Sequence, residues 1–335
     1  MLKKTLASVL CIILAASAMT SCGKNLKVDD KSKTSTSDDD QLGTANPEDE
    51  NNPATTVPSA GNGNGSTTPK TIDLSRFADR SVPDIDTENA EVKNFTAPEI
   101  GDDIIIMKFQ GYDGEVKIRL FPEYAELGVE NFIGLAEKGY YDGLTFHRIM
   151  ADFMIQGGDP LGTGTGGESV WGGKFDGGVS DKLTHAAGTL AYANSGSTAT
   201  NGSQFYIVTG EVYNDDYLKM LEEKGYSFSD DVKKILAAAG GAPWLDGGYT
   251  VFGQVYEGLD IIFSIQDVEV YQGNAFSSEV STPAEPVVLE YVKVGKYEGE
   301  ELKWFIADYM ENNSSGKDKD TNASDEETSQ EAGDM

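Results

Sequence analysis

Three side chains between positions 148 and 156 have the types and spacing to carry chemistry. Arg148, Met154 and Gln156 lie an even number of residues apart, so along an extended strand they face the same side. The run around them, Phe146 to Pro160, is too polar for a buried strand and too apolar for a solvated loop. An arginine beside apolar surface, with a glutamine to orient it, offers N–H donors where water is scarce. The run breaks into a glycine-dense loop, Gly162 to Gly167, which lacks the Lys-Ser/Thr that follows a phosphate-cradling loop. No Cys, His or carboxylate cluster has metal-ligand spacing, so neither a metal nor a cofactor is expected. The chain has 2 histidines. Strand alternation turns His147 away from Arg148, and both His147 and His185 are expected to be structural.

The elements that must position these residues are short strands. Ile104–Phe109 has strand composition, and Glu115–Leu120 alternates, with Val116, Ile118 and Leu120 inward. Gly111-Tyr112-Asp113-Gly114 between them predicts a hairpin turn. Pro122 opens a helix with an apolar stripe of Ala125, Val129, Phe132, Ile133 and Ala136, closed by Gly139 as a left-handed cap. Further strands are expected at Thr145–Arg148, Phe153–Gly157, Thr189–Ala193, Phe205–Thr209, Thr250–Val255 and Val287–Val294, with a second helix from Leu259 to Gln266. Many short strands with glycine-rich turns indicate a sandwich or a closed barrel, between which pattern alone does not choose. Residues 211–243 read as an insert of two helices, Asp215–Lys224 and Ser229–Ala239. Ser229 is an N-cap, Gly240-Gly241 is a stop, and the apolar side of the insert packs beside the strands or screens substrates ahead of Trp244.

The ends differ from the middle. Residues 1–22 read as an export signal, with Lys3 and Lys4 ahead of a short apolar run, Leu6 to Ala18, too short to span a bilayer. The run ends in Met19-Thr20-Ser21-Cys22, which resembles a bacterial lipoprotein cleavage box with Met19 where Leu is usual; Cys22 would carry the lipid. The other of the 2 cysteines, Cys11, lies within the signal, so no internal disulfide is expected. Residues 23–95 are too polar to offset ordering entropy and read as a disordered tether. The main domain is expected over 96–300, ordered from near Asp103. An amphipathic helix over 301–312 (Leu302, Phe305, Ile306, Tyr309, Met310) and an acidic disordered tail over 313–335 follow. The formal charge of −30 argues against nucleic acid, whose binding rests on phosphate neutralisation, and against adsorption to anionic lipid.

Three ordered blocks carry a family resemblance: Phe146 to Pro160, Ala191 to Ile207, and Trp244 to Gly253. Over roughly Ile104 to Val294 the chain resembles the cyclophilin family of peptidyl-prolyl isomerases. The resemblance chooses between the architectures: a mainly β fold, a closed eight-stranded antiparallel barrel capped by helices. It implies prolyl isomerase activity on X–Pro bonds of exported proteins, assisting folding on the extracytoplasmic face of the cell membrane. The expected partners are proline-containing segments, with the membrane reached through lipid on Cys22, and a monomer is expected. By the same resemblance Arg148 donates to the proline nitrogen and Gln156 holds the guanidinium. Phe153, Met154, Tyr206 and Leu245 line the proline pocket, Ala193, Asn194 and Gln204 bind backbone, and Trp244 forms the rim. Two positions depart from the usual pattern: Tyr206 stands where a Phe floors the pocket and Tyr249 where many members have His. The Tyr206 hydroxyl must find a partner. The rival readings are a module that grips proline segments without turnover and a scaffolding surface lipoprotein.

Overall fold

The computed structural model describes residues 80–273 and 279–305. The export signal, Cys22, the greater part of the expected tether and the acidic tail lie outside the described residues. Among the described residues eleven strands and four α-helices run in the order β1 (Asp103–Phe109), β2 (Val116–Leu120), α1 (Glu126–Glu137), β3 (Thr145–Phe146), β4 (Arg148–Met150), β5 (Met154–Gly157), β6 (Thr189–Tyr192), β7 (Phe205–Val208), α2 (Asp215–Glu223), α3 (Asp230–Ala238), β8 (Val251–Glu257), α4 (Leu259–Gln266), β9 (Val270–Tyr271), β10 (Thr282–Pro283) and β11 (Val287–Lys296). Nine strands form one antiparallel sheet in the order β3-β11-β1-β2-β8-β6-β7-β5-β4. Its two end strands, β3 and β4, are successive pieces of one extended run interrupted at His147. Thr145 and Phe146 pair with β11, whereas Arg148 to Met150 pair with β5. Counted as one interrupted strand, they close an eight-stranded barrel, the architecture that the resemblance implies.

Strand alternation divides side chains between two cores. In β7, Phe205 and Ile207 point into the barrel, where Phe205 meets Phe132 and Phe146 at centroid distances of 5.2 and 5.7 Å. Tyr206 and Val208 point outward into a second apolar cluster with Phe121, Met154, Leu183, Ala191, Ala242 and Val251. Helix α1 plugs the barrel with Phe132, which also packs 5.2 Å from Phe252. It begins at Glu126 rather than Pro122, because the Phe121 N–H is still held by the Phe252 carbonyl at 3.0 Å and a turn follows before the helix. Gly139 takes φ +65° beyond the end of the helix, as a left-handed cap requires.

The insert forms both expected helices. The Asn214 side chain caps α2 and Ser229 caps α3 through the Val232 N–H. Leu218, Leu221, Val232, Ile235 and Leu236 are buried in the core, so the apolar side packs on the barrel.

Two boundaries are corrected. Residues 80–95 belong with the domain and not with a tether: Val92 and Phe95 enter the core. Asn94 is fully buried, the two hydrogens of its Nδ2 shared among Thr184 O, Thr189 Oγ1 and Gln254 Oε1, and its Oδ1 accepting the Thr184 N–H. Arg80 is buried too, its guanidinium bonded to the carbonyls of Thr209 (2.8 Å), Ala239 (3.2 Å) and Gly210 and lying 4.5 Å over the Phe263 ring. Burial of Arg80 and Asn94 is tolerated because their side chains meet hydrogen-bond partners. At the other end, Glu301–Phe305 are not helical. Trp304 packs on Phe95 and Tyr256, while Phe305 turns to Phe263. Neighbouring rings that reach different partners suit an irregular chain better than one helical stripe. The remainder of the expected helix lies outside the described residues.

Candidate active site

The strand register assembles the site as a row. Arg148 on β4 stands opposite Gln156 on β5, Gln156 opposite Tyr206 on β7, and Tyr206 opposite Ala191 on β6. All four sit on the outer face of the barrel, and Met154, two residues before Gln156, joins them. Only Met154 and Gln156 share a strand; Arg148 reaches the same face by pairing with Gln156 across the turn at 151–153, and not by spacing along one extended strand. The Gly158 turn after β5 has φ +81°, and a Cβ there would stand 2.5 Å from the Ser203 carbonyl, so only glycine lets this strand leave the sheet so close to its neighbour.

The apolar part of the row is a shallow cup. Met154 and Tyr206 are almost fully buried at its floor. Phe153, Ala193, Trp244, Leu245 and Tyr249 surround them, each partly exposed. Phe153 and Trp244 pack at 5.8 Å between ring centroids, and Tyr249 meets Tyr206 edge-on at 6.0 Å. Trp244 and Leu245 sit on a single 3-10 turn opened by Pro243. That turn is anchored by the Ala242 N–H to the His185 carbonyl at 2.7 Å.

The polar part is a chain of side chains. Arg148 Nη1 donates to Gln156 Oε1 at 3.3 Å, Gln156 Nε2 to Gln204 Oε1 at 3.0 Å, and Gln204 Nε2 to the Gly166 carbonyl at 2.8 Å. The Gln204 carbonyl accepts the Ala193 N–H at 3.0 Å. Asn194 is tied to the far wall, its Nδ2 donating to Gly248 O at 3.0 Å. The Arg148 guanidinium carbon lies 5.9 Å from the Phe153 ring centre. Every site residue expected from the sequence in the described region is thus brought to one face.

Sequence reasoning missed two features. The first is Glu279, whose carboxylate meets Arg148 side-on: Nε to Oε1 at 2.7 Å and Nη2 to Oε2 at 2.8 Å. The hydrogen bond from Arg148 holds the Glu279 carboxyl below the usual carboxylate range, against the opposing effect of burial. The second is the partner of the Tyr206 hydroxyl. It bonds His185 Nε2 at 2.9 Å, and His185 Nδ1 lies 2.6 Å from Asp246 Oδ1. Asp246 also accepts the His185 N–H and the Thr184 hydroxyl. Burial pushes the Tyr206 phenol up, as do the neighbouring Tyr249 and Asp246. The demand for a hydroxyl partner was readable; its identity was not.

The glycine-dense loop does cradle an anion, but an internal one. The Asp159 carboxylate accepts the backbone N–H groups of Leu161, Thr163, Gly164, Thr165 and Gly166 at 2.6 to 3.2 Å. Burial alone would raise its pKa; those donors outweigh it and lower it. The same N–H groups are therefore engaged and do not form a phosphate nest. Among the described residues no group of three His, Cys, Asp or Glu side chains is placed to hold a metal.

The family model described as cyclophilin type peptidyl-prolyl cis-trans isomerase/CLD matches residues 104–294. The chain belongs to the cyclophilins. A relative from Staphylococcus haemolyticus, named "Putative peptidyl-prolyl cis-trans isomerase", is 40% identical over 196 residues, covering 58% of this chain and 94% of the relative. One of the same name from Staphylococcus aureus is 41% identical over 181 residues, covering 54% of this chain and 87% of the relative. The crystal structure of a Cryptosporidium parvum cyclophilin in the presence of the dipeptide Ala-Pro is also similar. It is 26% identical with a TM-score of 0.44, over 58% of this chain and 99% of that one. The protein is a cyclophilin-type prolyl isomerase, and the matched span contains the whole row from Arg148 to Tyr249. The helical insert also falls inside it, packed on the barrel of this cyclophilin rather than set apart as a separate domain.

Proposed function

We propose that this cyclophilin isomerises X–Pro bonds of exported polypeptides outside the cytoplasmic membrane, held there by lipid on Cys22. The basic start, the short apolar run and Cys22 support the location. The observation that carries the site reading is a guanidinium at the edge of an apolar cup, with a glutamine on one of its nitrogens.

The barrier is amide resonance, about 18–20 kcal/mol. It falls when the amide twists and the proline nitrogen regains its lone pair. A donor aimed at that nitrogen engages fully only in the twisted state, and such donors are worth about 2.7–4 kcal/mol, or two to three powers of ten in rate. Arg148 supplies the donor and Gln156 limits its swing. Phe153, Met154, Tyr206, Leu245 and Tyr249 grip the pyrrolidine ring with Trp244 at the rim, so that rotation is confined to the X–Pro amide bond. Ala193, Asn194 and Gln204 take the flanking backbone. No proton is transferred, and no cofactor enters.

A protease-coupled assay on an X–Pro peptide tests this. Arg148→Ala is expected to lower kcat/KM by about 10²–10³-fold with an unchanged circular dichroism spectrum; an undiminished rate in that variant rejects the mechanism. For the location, wild type is expected in the detergent phase of a membrane extract and Cys22→Ser in the aqueous phase. Identical partitioning of the two rejects the lipid anchor.

A further inference from the structure

Glu279 lies 131 positions from Arg148 along the chain yet grips its guanidinium on two nitrogens. We infer that Glu279 is a positioning residue for prolyl isomerisation, clamping the outer edge of the Arg148 guanidinium so that its remaining donors face the apolar cup. This rests on Arg148 being the donor to the proline nitrogen.

The argument is one of geometry and acceptor strength. A guanidinium has five N–H donors in a rigid plane. Two, on Nε and Nη2, go to the Glu279 carboxylate in parallel, the arrangement that fixes both position and plane. A third, on Nη1, goes to Gln156 from the other side. The other contacts are with thioethers, Nη1 with Met154 Sδ at 3.8 Å and Nη2 with Met150 Sδ at 3.1 Å. Sulfur is a weak acceptor. Oxygen partners therefore hold the frame, and the hydrogens facing sulfur can be turned to a better acceptor without dismantling it. One of those sulfurs, on Met154, is the floor of the cup.

The clamp is itself built in. Ser281 Oγ donates to Glu279 Oε1 at 2.7 Å, and the Ser281 carbonyl accepts the Ile149 N–H at 2.7 Å. The segment carrying Glu279 is thus laid along β4, the strand that carries Arg148. Both carboxylate and guanidinium are about one-third exposed, so the pair is screened and of little worth to stability. A contact so well formed and so weak in stability terms has its effect on orientation.

The test measures kcat and KM of full-length wild type, Glu279→Ala, Glu279→Asp, Arg148→Ala and the Arg148→Ala/Glu279→Ala double variant on one X–Pro peptide. Glu279→Ala is expected to lower kcat about tenfold, with KM within about twofold, since a misplaced group of this kind can cost up to 10²-fold. Glu279→Asp is expected to recover part of the loss. The double variant should be no slower than Arg148→Ala alone, because the clamp acts only through the guanidinium. Full or increased activity in Glu279→Ala, or losses that multiply in the double variant, would overturn the inference while leaving Arg148 as donor. A wild type without activity, or an Arg148→Ala variant as fast as wild type, would overturn the parent reading and this inference together.

Discussion

The edge of the cup and its floor are held by opposite means. At the edge, Arg148 pairs with Glu279, both about one-third exposed. At the floor, Tyr206 is 4% exposed and bonds His185, which is 0% exposed and leans on Asp246. An exposed ion pair contributes about 0–1 kcal/mol. A buried donor or acceptor left unsatisfied costs about 1–3 kcal/mol. The edge should therefore govern rate with little effect on stability, and the floor should govern stability with little effect on rate. The glutamine chain through Gln156 and Gln204 lies between the two, hydrogen-bonded to Arg148 at the edge and set opposite Tyr206 at the floor.

The comparison is broken most severely at Asp246, which accepts three hydrogen bonds from Thr184 and His185. The Asp246 carboxylate is itself about one-third exposed, so water can replace part of it, and Asp246→Ala is expected to cost about 1–2 kcal/mol, read as a thermal midpoint lower by about 2–8 °C for a domain of this size. A melting curve matching wild type would show that the floor is not held through His185. Tyr206→Phe is a gentler cut, removing one hydroxyl while keeping the ring. About 1 kcal/mol of stability should be lost, and kcat/KM should stay within about threefold. A tenfold fall would mean that the floor hydroxyl takes part in the reaction.

The smallest expected effect sharpens the comparison through the other histidine. His147 sits where the interrupted strand breaks, and neither ring nitrogen has a partner among the described residues. Burial lowers its pKa, outweighing the neighbouring Asp159, and Arg148 adds to the fall. Between that lowered value and the ordinary value of about 6.5, the unfolded chain binds the extra proton, so stability is lost as pH falls through this window. The urea midpoint of wild type should be lower at pH 5.5 than at pH 7.5, and His147→Gln should narrow the gap. An unchanged gap would remove His147 as a source of acid sensitivity.

Local periodicity made much of this legible. Met154 and Gln156 share a face because strand side chains alternate, and Arg148 joins them through cross-strand pairing with Gln156, which spacing along one strand does not describe. The Ser229 cap of the second insert helix and the left-handed Gly139 followed from residue type at a turn, whereas the Asn214 cap of the first was not read. Glu279 was not legible, since no repeat links an acidic residue in an irregular segment to an arginine 131 positions earlier. Nor was the use of the Gly162–Gly167 loop, read only as lacking a phosphate-binding pattern, whereas its N–H groups close on Asp159 just upstream. The start of the domain was misplaced for a related reason: Arg80 and Asn94 are polar, and composition reads polar stretches as solvated. Their burial depends on carbonyls and side chains supplied from elsewhere in the chain.

The Arg80 contacts bear on mechanical load. Tension entering through the residues before position 80 reaches, as the first described side chain, a clamp on three carbonyls at Thr209, Gly210 and Ala239. Those carbonyls flank the root of the helical insert, and Gly210 and Gly241 approach so closely there that a Cβ on Gly210 would sit 2.4 Å from Gly241. A pull would thus be spread over the base of the insert and the ring of Phe263 before Val92 or Phe95 is disturbed. Thr209 and Gly210 in turn donate their N–H groups to the Phe153 carbonyl at 2.9 and 3.2 Å, so the same clamp is joined directly to a wall of the cup.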